Sequence, residues 1–335
     1  MGVKNSRKLQ IGVEATKGTS VAATAILRMT GTLEDARTLV FPDEQVGLLT
    51  ATDRQYTSAY LGKLSMDGVA TFEQLPYILN ASIHTDTGVA QDGAGSDYIR
   101  TYAFPTTAKN DIFTYTIEGG DDAGEEEMDY SYVSDFTLSG KYTEAWQISA
   151  NWQGQNIVPS TFTALGSTTI ATVSEALFGL SKFYVDDSTG TIGTTQVAST
   201  LFEATLNVKS GWVPKYTADG QLDFTFLEQT GAEITLDITY EHNATAVAEK
   251  AKWRAGTARL LKLLIEGPAV TSAGTTYSKK TIIALLPGRW ESFDAIGDID
   301  GNDIIHGVFR VGYDTDYGSA GSIIVVNGLS TLPCN

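Results

Sequence analysis

The chain has 335 residues, of which 42% are hydrophobic and 19% are charged, and its formal net charge is −17. This length and composition exclude a disordered chain and leave room for two domains of ordinary size. The acidic excess repels nucleic acid and anionic membranes, which argues against tight binding to either, and its plainer explanation is solubility alone.

Residues 1–30 carry little periodic signal, because Gly12 and Gly18 interrupt them and Thr, Ser and Ala fill most of positions 16–25. This composition is typical of an extended arm, either disordered alone or ordered by a neighbouring subunit. No apolar stretch follows the basic residues at its start, so we expect no signal peptide and synthesis in a cytoplasm. No apolar run approaches the roughly 20 residues of a membrane-spanning helix.

The rest of the first half alternates turns with short regular elements. Thr71 and Gln74 have the spacing of a capping box for a helix over residues 72–83, and Pro76 predicts that its first turn is irregular. Gly and Asp residues predict a loop over 86–97. Strands are predicted over 98–104 and 112–118.

An acidic stretch interleaved with glycine follows, and it predicts a solvated loop. Its acidic residues are Glu118, Asp121, Asp122, Glu125, Glu126, Glu127 and Asp129. Residues 132–140 and 144–154 then predict a β-hairpin, whose second strand alternates apolar and polar side chains. The apolar set is Trp146, Ile148, Ala150 and Trp152, and the polar set is Gln147, Ser149, Asn151 and Gln153.

Residues 160–200 are rich in Ser, Thr and Gly, and we predict a domain boundary early in this region, before a short strand over 182–185. Alternation of apolar and polar residues predicts strands over 201–209 and 233–241. A helix is predicted from about Thr245 to Glu266, with Asn243 or Thr245 as its cap and Gly267 after its end. Its predicted apolar stripe is Val247, Ala251, Ala255, Ala258, Leu261 and Ile265. The closing strands are predicted over 278–286, 306–313 and 323–327.

Both halves of the chain present strands, then one helix, then more strands. The predicted helix centres, near Ile78 and Ala255, lie about half the chain apart, which is the spacing that a duplicated unit gives. The sequence therefore predicts a mainly β protein of two tandem β-sandwich or barrel modules, each with one flanking α-helix. The predicted divisions are an N-terminal arm at 1–30, a first module at 31–165 and a second module at 166–335.

The sequence contains no recognisable catalytic or cofactor motif. His84, His242 and His306 are scattered, and the single cysteine, Cys334, permits neither a cysteine-based zinc site nor an internal disulfide. We therefore expect no enzyme activity, no cofactor and no bound metal. A Ser-His-Asp triad assembled in space is the alternative that sequence leaves open.

Two further features have both a functional and a structural interpretation. Asp298, Asp300, Asn302 and Asp303 resemble the start of a calcium loop, but no bidentate Glu ends it, which favours an ordinary Asp/Gly/Asn turn. The tryptophans Trp146, Trp152 and Trp212 could stack nucleic-acid bases. Because the chain lacks the basic stripe that such a groove needs, packing in a core or interface is favoured.

Several passages taken together resemble the major tail tube protein of long-tailed (siphovirus-like) bacteriophages. They are residues 10–19 (QIGVEATKGT), 67–79 (DGVATFEQLPYIL), 138–140 followed by 144–154 (EAWQISANWQG), and 202–267 with the later strands through Asn327. The resemblance covers most of the chain, and it depends on the order and character of these passages and on no single motif.

This resemblance implies tail-tube-type modules, six of which form a ring around a lumen, with stacked rings making the tail. Most relatives supply one module per chain, so two modules here imply a trimer acting as a pseudo-hexamer, the alternative being six full chains per ring. The resemblance also implies a virion protein made in the host cytoplasm. Its implied partners are copies of itself, the tape-measure protein, the tail tip and the tail terminator, with DNA passing through the lumen without specific binding and no membrane contact.

Polar residues on the wet face of the inner strands would repel the DNA backbone and keep a water layer. The lumen-facing candidates are Gln147, Ser149, Asn151, Glu233, Asp237 and Glu241, and exterior solvent is the equal alternative for them. Candidates for ring-to-ring contacts are the arm at 1–30, the loop at 86–97, the acidic loop at 118–129 and the region 160–200.

Two other classes of protein share these features. One is a capsid decoration or fibre-base β protein, which would have the same acidity and strand pattern. The other is a carbohydrate-binding or hydrolytic β domain, in which Trp146, Trp152 and two carboxyl groups about 5 Å apart would act on a glycan.

Overall fold

The computed structural model describes residues 3–50, 53–83 and 85–332, and it confirms a mainly β fold with two α-helices, α1 (Leu75–Ser82) and α2 (Ala244–Arg254). Short 3-10 turns lie at Lys4–Ser6 and Phe178–Leu180. His84 and Cys334 lie outside the described residues. The strands of the first half are β1 (Lys8–Val13), β2 (Ala25–Leu27), β3 (Thr30–Asp35), β4 (Thr38–Val40), β5 (Tyr56–Ala59), β6 (Gly62–Val69), β7 (Thr85–Gln91), β8 (Tyr98–Ala103), β9 (Tyr115–Gly120), β10 (Glu125–Lys141), β11 (Gln147–Gly154) and β12 (Ile157–Pro159).

The second half continues the same architecture, and every closing strand predicted from its alternation is confirmed. Its strands are β13 (Thr169–Ile170), β14 (Ser181–Asp187), β15 (Leu201–Lys209), β16 (Trp212–Lys215), β17 (Phe226–Gln229), β18 (Glu233–Glu241), β19 (Arg259–Ala269), β20 (Lys279–Phe293), β21 (Gly297–Ile299), β22 (Asn302–Val311) and β23 (Ser322–Asn327).

Eight of these strands lie side by side in one antiparallel sheet. Its order is β3–β6–β11–β10–β15–β18–β22–β20, so it crosses from the first half of the chain to the second between β10 and β15. Strict alternation places one set of side chains on each face. A row of buried apolar residues crosses five strands on one face: Ile148, Leu138, Leu206, Leu236 and Phe309.

The two halves of this sheet repeat one strand order. In the first half, α1 follows β6, and the hairpin β10–β11 then places β11 beside β6. In the second half, α2 follows β18, and the hairpin β20–β22 places β22 beside β18. Each hairpin carries a bulge at the corresponding place, between Val133 and Asp135 and between Trp290 and Ser292. The division of the chain into domains at residue 165 stays a prediction.

The long strands β10 and β20 each leave the eight-stranded sheet and enter a second layer. The first part of β10 pairs with β9 and β12, and β9 continues to β1 and β2. The first part of β20 pairs with β19 and β23, which continue to β14 and β8. The apolar faces of both layers form one large core that draws residues from both halves of the chain.

The N-terminal segment differs from the predicted arm. Strand β1 lies between β2 and β9, and Leu9 and Ile11 are fully buried. Gln10, on the other face of the strand, is buried as well, and its side chain donates a hydrogen bond to Glu118. A strand buried on both faces shows no polar alternation, which is why its sequence gave no periodic signal.

The helix predicted over 245–266 was wrong in its second half. Helix α2 ends at Arg254, and Gly256 follows with a φ of +63°. A left-handed glycine is a common helix end. Residues 259–269 form β19, in which Leu261 and Ile265 are buried strand residues. The run of leucines satisfied a helical spacing only because both faces of β19 are largely buried.

The earlier helix is confirmed as α1, with the irregular entry that Pro76 predicted: Thr71 Oγ1 accepts a hydrogen bond from the Gln74 amide at 3.2 Å. The Gln74 side chain completes no capping box and binds the backbone of Ile26 and Arg28. The loop predicted over 86–97 was wrong for its first residues, because β7 extends to Gln91.

A buried ion pair fixes α2 to the strands beneath it. Arg259 donates to both carboxylate oxygens of Glu249 at 2.7 and 3.0 Å, and the Trp290 indole donates to the same carboxylate at 2.9 Å. The side chains of Arg259 and Glu249 are only 8% and 5% exposed. Removing one partner of such a pair leaves an uncompensated buried charge.

We expect Arg259→Leu to lower the free energy of unfolding by about 3–5 kcal/mol, measured by urea denaturation of the unassembled protein. The matched control is Lys252→Leu. Lys252 lies 3.5 Å from Asp187, a carboxylate that Arg259 also contacts, but the Lys252–Asp187 pair is exposed at the surface. Exposed pairs of this kind contribute about 0–1 kcal/mol. Equal losses in the two variants would contradict this account.

Candidate functional surface

The six lumen-facing candidates lie on one face of the eight-stranded sheet. Glu233 of β18 pairs with Lys209 of β15, Lys209 pairs with Asp135 of β10, and Asp135 pairs with Asn151 of β11, so these four residues form one row across the sheet. Asp237 connects to Gln147 through Thr205 and Ser139 in the same way. Ser149 and Glu241 occupy the same face of β11 and β18. The sequence predicted that these residues face water; the structure adds that they share one continuous polar surface.

Hydrogen bonds run across the strands of this polar surface. Thr137 donates to the Asn207 side chain at 3.0 Å, and Asn207 donates to Asp237 at 2.9 Å. The Asn151 amide donates to Asp135 at 2.7 Å. Cross-strand pairs of this kind stabilise the sheet and fix the orientation of its polar side chains.

Two lysines of the polar surface are held by its own carboxylates. Lys209 lies 2.9 Å from Glu233, and Lys141 lies 3.2 Å from Glu203. Hydrogen bonding to Lys209 lowers the pKa of the exposed Glu233 carboxyl. Burial raises the pKa of Asp237, which the nearby His306 and the Asn207 amide partly offset. Lysines that are already paired with carboxylates present little free positive charge to a phosphate backbone.

The acidic stretch at 118–129 is a hairpin, so the prediction of a loop was wrong. Strands β9 and β10 pair from Gly120 and Glu125 inward, and only the tip between them turns. Glu118 is 3% exposed and accepts hydrogen bonds from the Gln10 side chain and the amides of Ala23 and Thr163. It therefore acts as a structural anchor for the N-terminal strands.

The remaining acidic residues of this hairpin differ in environment. Glu125 accepts a hydrogen bond from the Phe162 amide, and Glu127 accepts one from Ser160. Asp122 and Glu126 are exposed, and Asp121 at the turn is half-buried. A role of this acidic hairpin between rings stays a prediction, and Asp122 and Glu126 are the side chains best exposed for it.

Asp129 is the most perturbed carboxyl of the hairpin. Burial, together with the neighbouring Glu14 carboxylate, raises its pKa from 3.8 to about 6. Because the folded pKa lies above the unfolded one, this group favours folding below about pH 4 and loses that contribution as the pH rises through about 6.

We expect Asp129→Asn to unfold like the unaltered protein near pH 4 and to be more stable near pH 8, by on the order of 1–3 kcal/mol. Urea unfolding at the two pH values measures the difference. Glu126→Gln, in the exposed part of the same hairpin, is the control and should leave the pH dependence unchanged. A pH-independent effect of Asp129→Asn would contradict the raised pKa.

The other singled-out residues are structural. Trp146, Trp152 and Trp212 are 0%, 1% and 7% exposed, so they pack in the core as favoured above. Asp300 and Gly301, both with positive φ, form the tight turn between β21 and β22, which confirms the turn interpretation. Among the described residues, no group of three or more His, Cys, Asp or Glu side chains could hold a metal ion.

Open strand edges were expected from sequence, but the strands that form them and an exposed apolar hairpin beside one of them were not identified. The sheet ends at β3 and at the last part of β20, and in the described part of the chain neither outer edge pairs with another strand. The hairpin β4–β5 next to β3 exposes several large apolar side chains. The cluster of Phe41, Val46, Leu48 and Leu49 in a polar loop was a signal that could have indicated an exposed contact.

No protein-family model matches this chain, and a search of curated proteins gives no match. Neither helix in the described ranges has the length and apolarity needed to span a membrane.

Proposed function

We propose that this protein polymerises into stacked rings that form the hollow tail tube of a long-tailed bacteriophage, with three copies making each ring. The observation that carries the proposal is the repeated strand order of the eight-stranded sheet. Three copies would contribute six four-stranded repeats, arranged as a pseudo-hexamer. The division of each chain into two tandem tube modules is part of this proposal.

The internal junction between the repeats supplies a template for the junction between copies. Inside the chain, the last strand of the first repeat, β10, pairs with the first strand of the second repeat, β15. The corresponding unpaired strands are β20, at the end of the second repeat, and β3, at the start of the first. Pairing β20 of one copy with β3 of the next would be a head-to-tail contact, which closes into a ring when the rotation permits.

The bulges align the two junctions residue by residue. Asp135 and Ser292 each follow the bulge, so Thr137 corresponds to Asp294. The strand that pairs with each of these edges is aligned through its own neighbours. Asn207 of β15 pairs with Thr235, which pairs with Arg310 of β22. Glu34 of β3 pairs with Lys63, which pairs with Gln153 of β11. Because Arg310 and Gln153 occupy corresponding positions in β22 and β11, Glu34 corresponds to Asn207. The internal pair Thr137–Asn207 thus predicts an Asp294–Glu34 pair between copies.

Unpaired edge strands promote uncontrolled association, and proteins cover or pair them. The Trp253 indole of α2 donates a hydrogen bond to the carbonyl of Glu291 in β20. The Lys250 side chain of α2 donates one to the carbonyl of Asp294, just beyond the strand. These contacts shield part of the edge in the free chain. Ring closure would exchange them for backbone pairing and remove both edges.

The polar surface suits the wall of a lumen that conducts DNA without holding it. Binding to the DNA backbone depends on lysine and arginine side chains that neutralise phosphates. Here Lys141 and Lys209 are paired with carboxylates, and hydroxyl and amide groups fill the rows between them. In this proposal the protein resides in the virion tail, and the tape-measure protein, tail tip and tail terminator are its further partners.

A cysteine pair tests ring closure. In a Cys334→Ser background, we expect Glu34→Cys with Asp294→Cys to form covalent closed trimers on oxidation, because directly paired strand residues lie within disulfide reach. Non-reducing gels and negative-stain images measure the products, which should be rings of three chains. Glu34→Cys with Ser149→Cys is the control. Its second cysteine lies in the middle of the sheet, so oxidation should not give covalently closed trimers.

Six chains per ring would overturn the trimeric arrangement. Trimers that never stack into tubes of uniform bore would instead favour a capsid decoration protein, and the absence of any ring would overturn the proposal.

A charge reversal tests the lumen. Glu233→Lys would leave Lys209 unpaired and add a second cation, which creates a salt-dependent site for phosphate. We expect rings to form normally and the efficiency of genome delivery by phage that carry the variant to fall by about tenfold or more. Asp219→Lys, at the exposed turn of hairpin β16–β17, is the control and should leave genome delivery normal. Normal infectivity of phage with Glu233→Lys would argue that this face does not line the bore.

A further inference from the structure

Two hairpins project from corresponding places in the repeated sheet. The hairpin β4–β5 is inserted between β3 and β6, and the hairpin β16–β17 is inserted between β15 and β18. Both hairpins are joined to their flanking strands by only two or three residues. They therefore leave the sheet at equivalent positions, although their neighbours differ.

The hairpin β16–β17 packs against the first half of the chain. Trp212 and Phe224 are 7% and 0% exposed in a small core that they share with Ile112, Tyr130 and Tyr132. The Trp212 indole donates to the carbonyl of Ser82 at the end of α1, at 3.1 Å. At the rim, Glu228 of the hairpin lies 3.2 Å from Lys109.

The hairpin β4–β5 has the apolar residues for such a contact but exposes them. Phe41, Leu48 and Leu49 are 66%, 64% and 108% exposed, and Leu39, Val46 and Tyr56 are exposed as well. Six exposed large apolar side chains on one hairpin are typical of an interaction surface. Its acidic residues include Asp43 and Glu44.

The second half of the chain contains a surface that corresponds in the repeat to the one beneath hairpin β16–β17. The bulge alignment that relates Val133 to Trp290 relates Tyr132, immediately before it, to Arg289. A groove opens beside Arg289, with a cavity of about 330 Å³ lined by Ala258, Gly288, Arg310, Val311 and Tyr313 among others. Tyr313 is 60% exposed, and Arg289 and Arg310 complement the exposed Asp43 of the hairpin, whereas Glu44 is already paired with Arg54 of the same hairpin.

We propose that hairpin β4–β5 of one copy docks into the Arg289–Tyr313 groove of the neighbouring copy, as β16–β17 docks onto the first half within the chain. This inference rests on the proposed ring, because the groove and the hairpin lie at opposite ends of one chain's sheet. The occupant is a second copy of this chain. Each ring joint would then contain both a strand pairing and a docked hairpin, like the junction inside the chain.

Photo-crosslinking tests the location. With benzoylphenylalanine in place of Phe41, we expect irradiation of the assembled protein to give inter-chain crosslinks, whose peptides contain residues 256–258, 287–291 or 310–315. Crosslinks confined to other surfaces would overturn the docking while leaving the ring intact. Failure of the unaltered protein to form any ring would overturn both the ring and the docking.

A pair of substitutions tests the contribution of the contact. Phe41→Ser with Leu49→Ser should leave the fold of the free chain unchanged, since both side chains are exposed, and should raise the concentration needed for ring formation at least tenfold. Leu222→Ser with Phe226→Ser, which removes the same two residue types from hairpin β16–β17 (42% and 43% exposed), is the control and should assemble normally. Normal assembly of the Phe41/Leu49 variant would overturn the proposal.

Discussion

The antiparallel pairing of β10 with β15 is the interaction on which the rest of the structure depends. Seven residue pairs, from Asp135 with Lys209 to Lys141 with Glu203, join the two halves of the chain. They bring the alternation of both halves into phase, so that Leu138 meets Leu206 on the apolar face and Thr137 meets Asn207 on the polar face. A slip of one residue would turn charged side chains into the core, which explains why this register is strongly specified.

The same two strands that end each repeat also hold the layers together. Both β10 and β20 bend from the eight-stranded sheet into the second layer, and each carries a bulge opposite its hairpin partner. A bulge increases the local twist and redirects a strand. The apolar core can therefore be enclosed between layers that share strands, while the other face of the sheet carries mostly polar side chains.

Local pattern was sufficient to predict the elements with one wet face, and it failed where both faces are buried. Strands β15, β18 and β22 were predicted because polar residues alternate with their core residues. Strand β1 was missed because Gln10 is buried, and β19 was assigned to a helix because leucines fill both of its faces. The buried role of Glu118 depends on Gln10, Ala23 and Thr163, partners distant in sequence that no local pattern identifies. The six polar candidates were placed on wet strands correctly, but their union in one surface required the pairing of β10 with β15.

The chain contains, as an internal contact, a version of the interface that a ring would need between copies. At the internal junction, β15 covers the edge of β10, and hairpin β16–β17 covers the aromatic residues beside it. At the two ends of the sheet, the corresponding edge, hairpin and groove are present without those partners in the described chain. An isolated chain would gain nothing from exposing an apolar hairpin and two strand edges, since each favours association. In the proposed ring, a neighbour with the same sheet would satisfy all three at once, because the surfaces that it presents correspond to those already matched inside each chain.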